Sequence, residues 1–432
     1  MYRAQTFRLL FCLVTLSLSA AQAQTFTVIH SFTGNQDGAQ PYAALTLDTG
    51  KLYGTATAGG NRNQQTQCWR VGCGNVFRLT QHNSGWVLDP LYIFQGESDG
   101  AAPAGPVNFG PSGLLYGTTF AGGVIGSDCD ISYAGCGVVF TLQPPPSACH
   151  SVTCFWTEKV IYEFVDEEDG FAPEGALAFD QAGNVYGTTS AGAGGPCGFG
   201  CGIVYQLMRS GSGWAETTLS EYTYGNEGPA ELYGLIIDPT GNLYGASNTG
   251  GTENFGSVYE VTRSGSNWET IVLHSFTDLG TGAYADGGLV MDSAGNLYGT
   301  TAQGGASGGG IVFELSPSDG GWNYSVITNL VGPGLGPQGS LAIDAAGNLY
   351  GTTYGGGLFQ CGNVFKLTPS GGNWTFTDLH DFTCGDDGGN PAGGVIVDAS
   401  GNIFGTTYMY GPSGANCAVG ANTCGVVWEI TP

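Results

Sequence analysis

One strand phrase is out of place in this sequence, and its displacement constrains the fold more than any other feature. Six times a long strand opened by Trp follows a shorter Val–aromatic strand: Trp86 to Phe94, Trp156 to Phe164, Trp214 to Tyr222, Trp268 to Phe276, Trp322 to Leu330 and Trp374 to Phe382. The seventh Val–aromatic strand, Val427-Trp428-Glu429-Ile430, is followed only by Thr431 and Pro432. A matching strand stands instead near the other end of the chain, Phe26-Thr27-Val28-Ile29-His30-Ser31-Phe32. A ring of repeats closes by pairing its two ends in this way, whereas an open solenoid has no use for the arrangement.

The repeat itself is explicit. A turn and an aromatic–Gly strand of the type D-x-x-G-N-L-Y-G-T-T recur around Tyr53, Tyr116, Tyr186, Tyr244, Tyr298, Tyr350 and Phe404. Each copy is followed by the Val–aromatic strand, as in Val364-Phe365-Lys366-Leu367, whose two apolar faces read as a strand buried on both sides. With a short strand before each turn, every unit offers four strands. The expected fold is all-β: a seven-bladed β-propeller over residues 25–432, a single domain whose last blade is closed by the N-terminal strand. Composition agrees. The 77 glycines exclude a helical bundle, and Tyr 21, Phe 22 and Trp 8 supply a core that a disordered chain lacks. The glycines are expected mainly at the hairpin turns, where φ is positive.

The pattern G-N-L-Y-G-T-T followed by G-x-V-F-x-L resembles the GloVer tandem-repeat family of exported bacterial proteins, over nearly the whole chain after the leader. The resemblance implies a β-propeller without an established chemistry and, in some members, a C-terminal surface anchor. No such anchor is expected here after Pro432, and the resemblance supplies no functional residues.

Residues 1–24 read as a signal peptide: Arg3 and Arg8, an apolar run from Leu9 to Leu18, and an Ala21-Gln22-Ala23 cleavage signature. No later run is long and apolar enough for a spanning helix. The chain is therefore expected to be secreted by a bacterium, to the outside or the periplasm, and to act as a monomer. Net charge is −25, and −27 once Arg3 and Arg8 are removed, which argues against nucleic acid and anionic lipid as partners. Apart from Cys12 in the leader, twelve cysteines remain, and their spacing favours disulfides: Cys68–Cys73, Cys129–Cys136, Cys149–Cys154, Cys197–Cys201, Cys417–Cys424, and Cys361 with Cys384. A metal at Cys197-x-x-x-Cys201 is the weaker alternative, because no second pair or histidine lies nearby.

Elaboration falls on one face and one arc. Asp-Gly-x-x-Pro recurs in the loops entering blades 1, 2, 3 and 7, at Asp37, Asp99, Asp169 and Asp387. Cysteine-bearing loops mark blades 1, 2, 3 and 7, plus blade 6, and the loops of that arc contain Trp69, Tyr133, Phe199 and Tyr410. These eight residues form the candidate ligand surface, with carboxylates over the channel mouth and aromatic plates beside them. Carboxylates in this pattern suit Ca²⁺ or hydroxyl-rich ligands, and aromatic faces suit sugar rings. The plainer reading is that Asp-Gly makes a turn and Pro stiffens the start of a strand. The repeated Tyr of Y-G-T-T reads as packing, since Phe404 replaces it. His30, His274 and His380 sit on different blades and form no common metal site, and Gly305-Ala306-Ser307-Gly308-Gly309 lacks the strand–turn–helix setting of a nucleophile elbow.

No catalytic set is recognisable, so the leading expectation is a secreted, non-catalytic binding or scaffold module for an extracellular glycan or protein. The alternatives are a carbohydrate-active enzyme (a glycoside hydrolase or lyase) using carboxylates of the elaborated face, and a purely structural extracellular repeat protein.

Overall fold

A computed structural model describes residues 24–60, 68, 71–124, 129, 135–146, 156–165, 168–192, 201–222, 234–330, 336–412 and 424–432. Among them are 28 strands and no helix, arranged as seven antiparallel four-stranded sheets. In the first blade Thr46–Asp48, Lys51–Ala56, Asn75–His82 and Gly85–Ile93 pair in chain order, and blades 2 to 6 repeat that order. The last blade joins Ile396–Val397, Ile403–Thr407 and Val426–Thr431 to the N-terminal strand Thr25–Ser31, with Phe26 opposite Ile430 and Val28 opposite Trp428. The displaced strand is thus the outer strand of the seventh blade.

Each outer strand carries a β-bulge at the same register. Between Val364 and Phe365 the partner strand skips Leu379, and Leu91, Ile161, Leu219, Leu273, Ile327 and Ile29 are skipped likewise. The extra residue twists the strand and re-aims the next side chain. That side chain is His30, Tyr92, Tyr162, Ser220, His274, Thr328 or His380, according to the blade.

The core lies between blades. Tyr53 and Val76 of the first blade pack with Phe140 and Leu142 of the second, and Phe404 and Val427 of the last pack with Leu52 and Phe77 of the first. Where a Trp opens the outer strand, it reaches back to the Y-G-T-T aromatic of the preceding blade. Ring centroids are 6.4 Å apart for Trp156–Tyr53, 6.1 Å for Trp322–Tyr244 and 5.8 Å for Trp86–Phe404. The Y-G-T-T tyrosines are 3–6% exposed, so they are packing residues. Tyr298, Tyr350, Tyr186 and Tyr244 also donate their hydroxyls to the Asp of the preceding turn, a bond Phe404 forgoes.

Many of the glycines do something other than turn the chain. A Cβ on Gly351 would meet Phe365 Cζ at 2.6 Å, and on Gly405 it would meet Trp428 at 2.3 Å. The Gly of Y-G-T-T leaves room for the aromatic of the next strand to lie flat across it. At the axis, a Cβ on Gly339 would strike the backbone of Gly393 at 2.4 Å, and one on Gly393 the carbonyl of Ala43 at 2.6 Å. Neighbouring blades therefore meet backbone to backbone around the channel.

Cys68–Cys73, Cys129–Cys136 and Cys361–Cys384 are disulfides, with Cα atoms 5.2, 5.1 and 5.6 Å apart. Cys201 and Cys424 are disulfide-bonded as well; Cys197, Cys417 and the Cys149–Cys154 pair lie outside the described residues.

Candidate functional site

The structure ties each Asp of the Asp-Gly-x-x-Pro loops to the outer strand that precedes it. Asp37 Oδ2 accepts from Thr33 N at 2.8 Å and stands 3.3 Å from His30 Nε2, and its Oδ1 accepts from the Thr33 hydroxyl at 2.5 Å. Asp387 repeats the set with Thr383 N at 3.0 Å and His380 Nε2 at 3.2 Å. Asp99 and Asp169 take a tyrosine in place of the histidine, at 2.9 Å from Tyr92 and 2.7 Å from Tyr162. In each case the ring stands seven residues earlier, just past the bulge that turns it toward the loop. The carboxylates satisfy amides that the end of the strand leaves unpaired. For Asp37, burial raises the pKa, but the bonds from His30 and Thr33 outweigh it and hold the carboxyl below its usual value.

Three strand spacings of roughly 4.8 Å separate an outer strand from the innermost. Carboxylates fastened to outer strands therefore stand away from the channel mouth. Tyr410 has φ 64, and its ring lies over Gly389 beside Cys384 of the Cys361–Cys384 disulfide. Trp69, Tyr133 and Phe199 lie outside the described residues. Among the described residues no group of three or more His, Cys, Asp or Glu side chains is placed to hold a metal ion.

The mouth is rimmed by a different set. The residue after the motif proline, or its equivalent, is Tyr42 on blade 1, Glu174 on blade 3, Asp286 on blade 5 and Gln338 on blade 6. Four residues beyond the Y-G-T-T aromatic stand Asn248, Tyr354 and Tyr408 on blades 4, 6 and 7. Tyr42 and Tyr408 meet edge to face with centroids 5.6 Å apart. Burial, then the charges of Glu174 and Asp286, push the Tyr42 phenol well above its usual pKa. Asn248 Nδ2 donates to Asp286 Oδ1, and Asn390 Nδ2 donates to the Tyr354 carbonyl at 2.9 Å. Below the rim Ala43, Ala44, Gly288, Gly339 and Gly394 narrow the channel to a cavity of about 70 Å³. That volume holds a few waters and no sugar ring. The rim is a platform rather than a pocket. Of the residues singled out in the sequence, Tyr410 lies within electrostatic reach of Tyr354; the motif prolines lead into Tyr42 and Glu174, and the other rim residues carry no motif that marks them. Aligning the seven copies position by position, and asking where polar and aromatic residues replace Ala and Gly, is the signal that finds them.

Two acids strongly perturbed by burial lie on outer strands. Glu158 is pushed up to about 7, first by burial and then by the charge of Asp99. Glu216 is raised to about 7 by burial and by Asp169, against a lowering bond from Thr218.

Residues 15–199, 126–332 and 195–419 match the model of the Gloeobacter/Verrucomicrobia repeat. No curated protein matches the chain. Among solved structures, a protein from Lactobacillus plantarum is similar at 11% identity and a TM-score of 0.50, over 88% of this chain and 99% of that one. A putative 6-phosphogluconolactonase from Bacteroides uniformis is similar at 12% identity and a TM-score of 0.48, over 78% and 84%. A protein of unknown function from Dyadobacter fermentans gives 10% and 0.45, over 94% and 97%. At such identities the likeness concerns fold alone.

Proposed function

The chain belongs to the Gloeobacter/Verrucomicrobia repeat family, and we propose that within it this protein is a secreted, non-catalytic binding module whose ligand is an extracellular glycan lying across the channel mouth. The observation that carries the reading is the convergence on one rim of Tyr42, Tyr354 and Tyr408 with the carboxylates of Glu174 and Asp286. Aromatic faces cover the apolar side of a sugar ring, and carboxylates accept its hydroxyls. A platform above a narrow channel suits a polymer that lies across it. The four motif carboxylates, each held by its own loop, serve as supports for that platform rather than as acid and base. Ca²⁺ is not needed by this reading.

The test is binding of the mature protein to a panel of neutral polysaccharides, with Tyr42→Ala and Glu174→Gln as variants. Retention of at least one polysaccharide by the wild type, weakened about tenfold or more in both variants, is the expected result. Equal retention by wild type and variants overturns it.

One observation favours a second reading, a carbohydrate-active enzyme. Glu158, pushed up to about 7, stands beside Asp99, and glycoside hydrolysis uses two such acids. Tyr92 and Trp156 line a groove of about 400 Å³ next to it. Shortening of a polysaccharide by the wild type, abolished in Glu158→Gln, would establish that reading in place of the first.

A further inference from the structure

The face opposite the channel mouth, made of short turns, carries a wide cavity. It is a groove of about 620 Å³ between blades 3 and 4, within the 300–1,000 Å³ typical of small-molecule sites. Blade 4 here resembles blade 3, where Arg209 lies over Trp214 at 4.2 Å, and differs from blades 5, 6 and 7. In blades 5, 6 and 7 a proline ends the Val–aromatic strand, and a Cβ on the turn glycine would meet it: Gly295 with Pro317 at 3.8 Å, Gly347 with Pro369 at 3.8 Å, Gly401 with Pro432 at 3.4 Å. Blade 4 has Arg263 at this register, opposite Trp268 as Pro317 is opposite Trp322. Nothing lies within 4 Å of the corresponding point on Gly241. The space the proline would occupy is open, and Arg263 swings over the Trp268 ring, its Cζ 4.3 Å from the centroid.

We propose that this groove is a second ligand site, for an uncharged, hydroxyl-rich ring such as the terminal sugar of a glycan. Trp268 and Tyr186, 6.3 Å apart edge to face, supply an apolar wall. Arg263 is exposed and lies in the groove with its forked donors, whose geometry matches a pair of adjacent hydroxyls. The two carboxylates of the walls are committed elsewhere. Asp180 accepts from Asn184 and Tyr186, and Asp238 accepts from Thr240, Asn242 and Tyr244. Their charge still counts against an anion, as does the net −25 of the chain. Arg263 is exposed where it lies over the half-buried indole, so the stacking is weak and a ligand displaces it readily.

The repeat supplies its own control, because Arg263→Pro installs the residue that blades 5 and 6 carry at this register. The mature protein is titrated with D-glucose, D-galactose, D-mannose, L-fucose and D-galacturonate, and the indole N–H of Trp268, assigned through Trp268→Phe, is followed by NMR. The expected result is a saturable shift of Trp268 with at least one neutral sugar, weakened about tenfold or more in Arg263→Pro and in Arg263→Gln. Arg263→Gln leaves the backbone untouched and decides the matter if the proline variant fails to fold. No response to any neutral sugar, a response to galacturonate alone, or undiminished affinity in Arg263→Gln overturns the proposal. The channel-mouth reading stands or falls separately, since its polysaccharide assay probes residues of the other face.

Discussion

The backbone N–H of Ala102 donates to the carbonyl of Cys73 at 2.9 Å. The same bond joins Ala172 to Cys136, Asn390 to Cys361 and Gln40 to Cys424, each at 2.8 or 2.9 Å. All four donors precede the proline of an Asp-Gly-x-x-Pro loop, and all four sit at positive φ, between 52° and 58°. The glycine after each cysteine receives that proline: a Cβ on Gly74, Gly137, Gly362 or Gly425 would meet Cδ of Pro103, Pro173, Pro391 or Pro41 at 2.6–2.7 Å. The cysteine loops and the Asp-Gly loops are therefore two halves of one joint between neighbouring blades. A left-handed residue ahead of proline costs on the order of 1–3 kcal/mol, and the joint offsets that cost.

The joint predicts what loss of the Cys361–Cys384 disulfide does. Cys361 lies in the second-to-third-strand loop of blade 6 and Cys384 in the loop leading to blade 7, so the bridge spans the same joint that Asn390 and Pro391 make. Replacing both cysteines by serine is expected to cost about 3 kcal/mol for a link spanning 23 residues. Amide exchange at Asn390 should rise with it, while that at Ala102 and Ala172 stays put. Exchange measured by NMR or mass spectrometry checks the locality, and uniform acceleration over all four joints would contradict it.

The glycine of Y-G-T-T predicts a contrast between two neighbours. Gly351→Ala drives a methyl into Phe365 at 2.6 Å. Gly347→Ala meets only Pro369, at 3.8 Å, though at φ 79. Overpacking a core costs about 1–3 kcal/mol, and an alanine at positive φ about 1–2 kcal/mol. Gly351→Ala is expected to be the more damaging, and Phe365→Leu added to it should recover part of the loss. Denaturant midpoints of the three variants test the order.

These particulars show which level of the structure the sequence displays. The blade count, the ring closure and the three described disulfides follow from repetition and spacing, because period-two patterning and a displaced strand have one economical solution. The glycines are legible as a count but not as a cause. Gly347 turns the chain, while Gly351, four residues later, makes room for Phe365, a contact between strands that spacing does not display. The motif carboxylates escape a sequence reading for a related reason. Asp37 looks like a free acid over the channel until the bulge at Ile29 brings His30 round to meet it. A bulge reverses which face a side chain occupies, and no residue type announces it.

The titrating groups predict a stability maximum near mildly acidic pH. Asp180, Asp292 and Asp344 are raised by burial, but their turn bonds from Asn184, Asn296 and Asn348 win and leave each pKa below the usual value. A depressed carboxylate contributes stability above its unfolded pKa and loses it as pH falls through the folded one, so stability drops below about pH 4. Glu158 and Glu216, raised to about 7, act in the opposite sense. Their contribution is complete below the unfolded value and is lost as pH rises through about 7. Both are partly exposed, so after discounting for solvent each accounts for on the order of 1 kcal/mol. Melting of the wild type is expected to peak near pH 5, and the Glu158→Gln, Glu216→Gln double variant should lose most of the decline between pH 5 and 8. An unchanged decline in that variant would assign the slope to other groups.

Ring closure makes the last prediction, and it concerns the first residues of the fold. Removing residues 25–33 strips the outer strand from the seventh blade and leaves Val426–Thr431 with an unpaired edge. It also removes Phe32, which is 2% exposed and packs with Phe77 of the first blade at 5.3 Å. Phe32→Ala alone is expected to cost about 3–5 kcal/mol. The truncated chain should melt earlier still and associate through the open edge, because an exposed strand pairs with whatever strand it meets. A synthetic peptide of residues 25–33 supplied in trans has the register of Phe26 opposite Ile430 and Val28 opposite Trp428 available to it. It should raise the melting temperature in a dose-dependent way and reverse the added association seen by light scattering. A scrambled peptide of the same composition should do neither. Rescue by both peptides alike would mean that the edge needs only a strand, not this one.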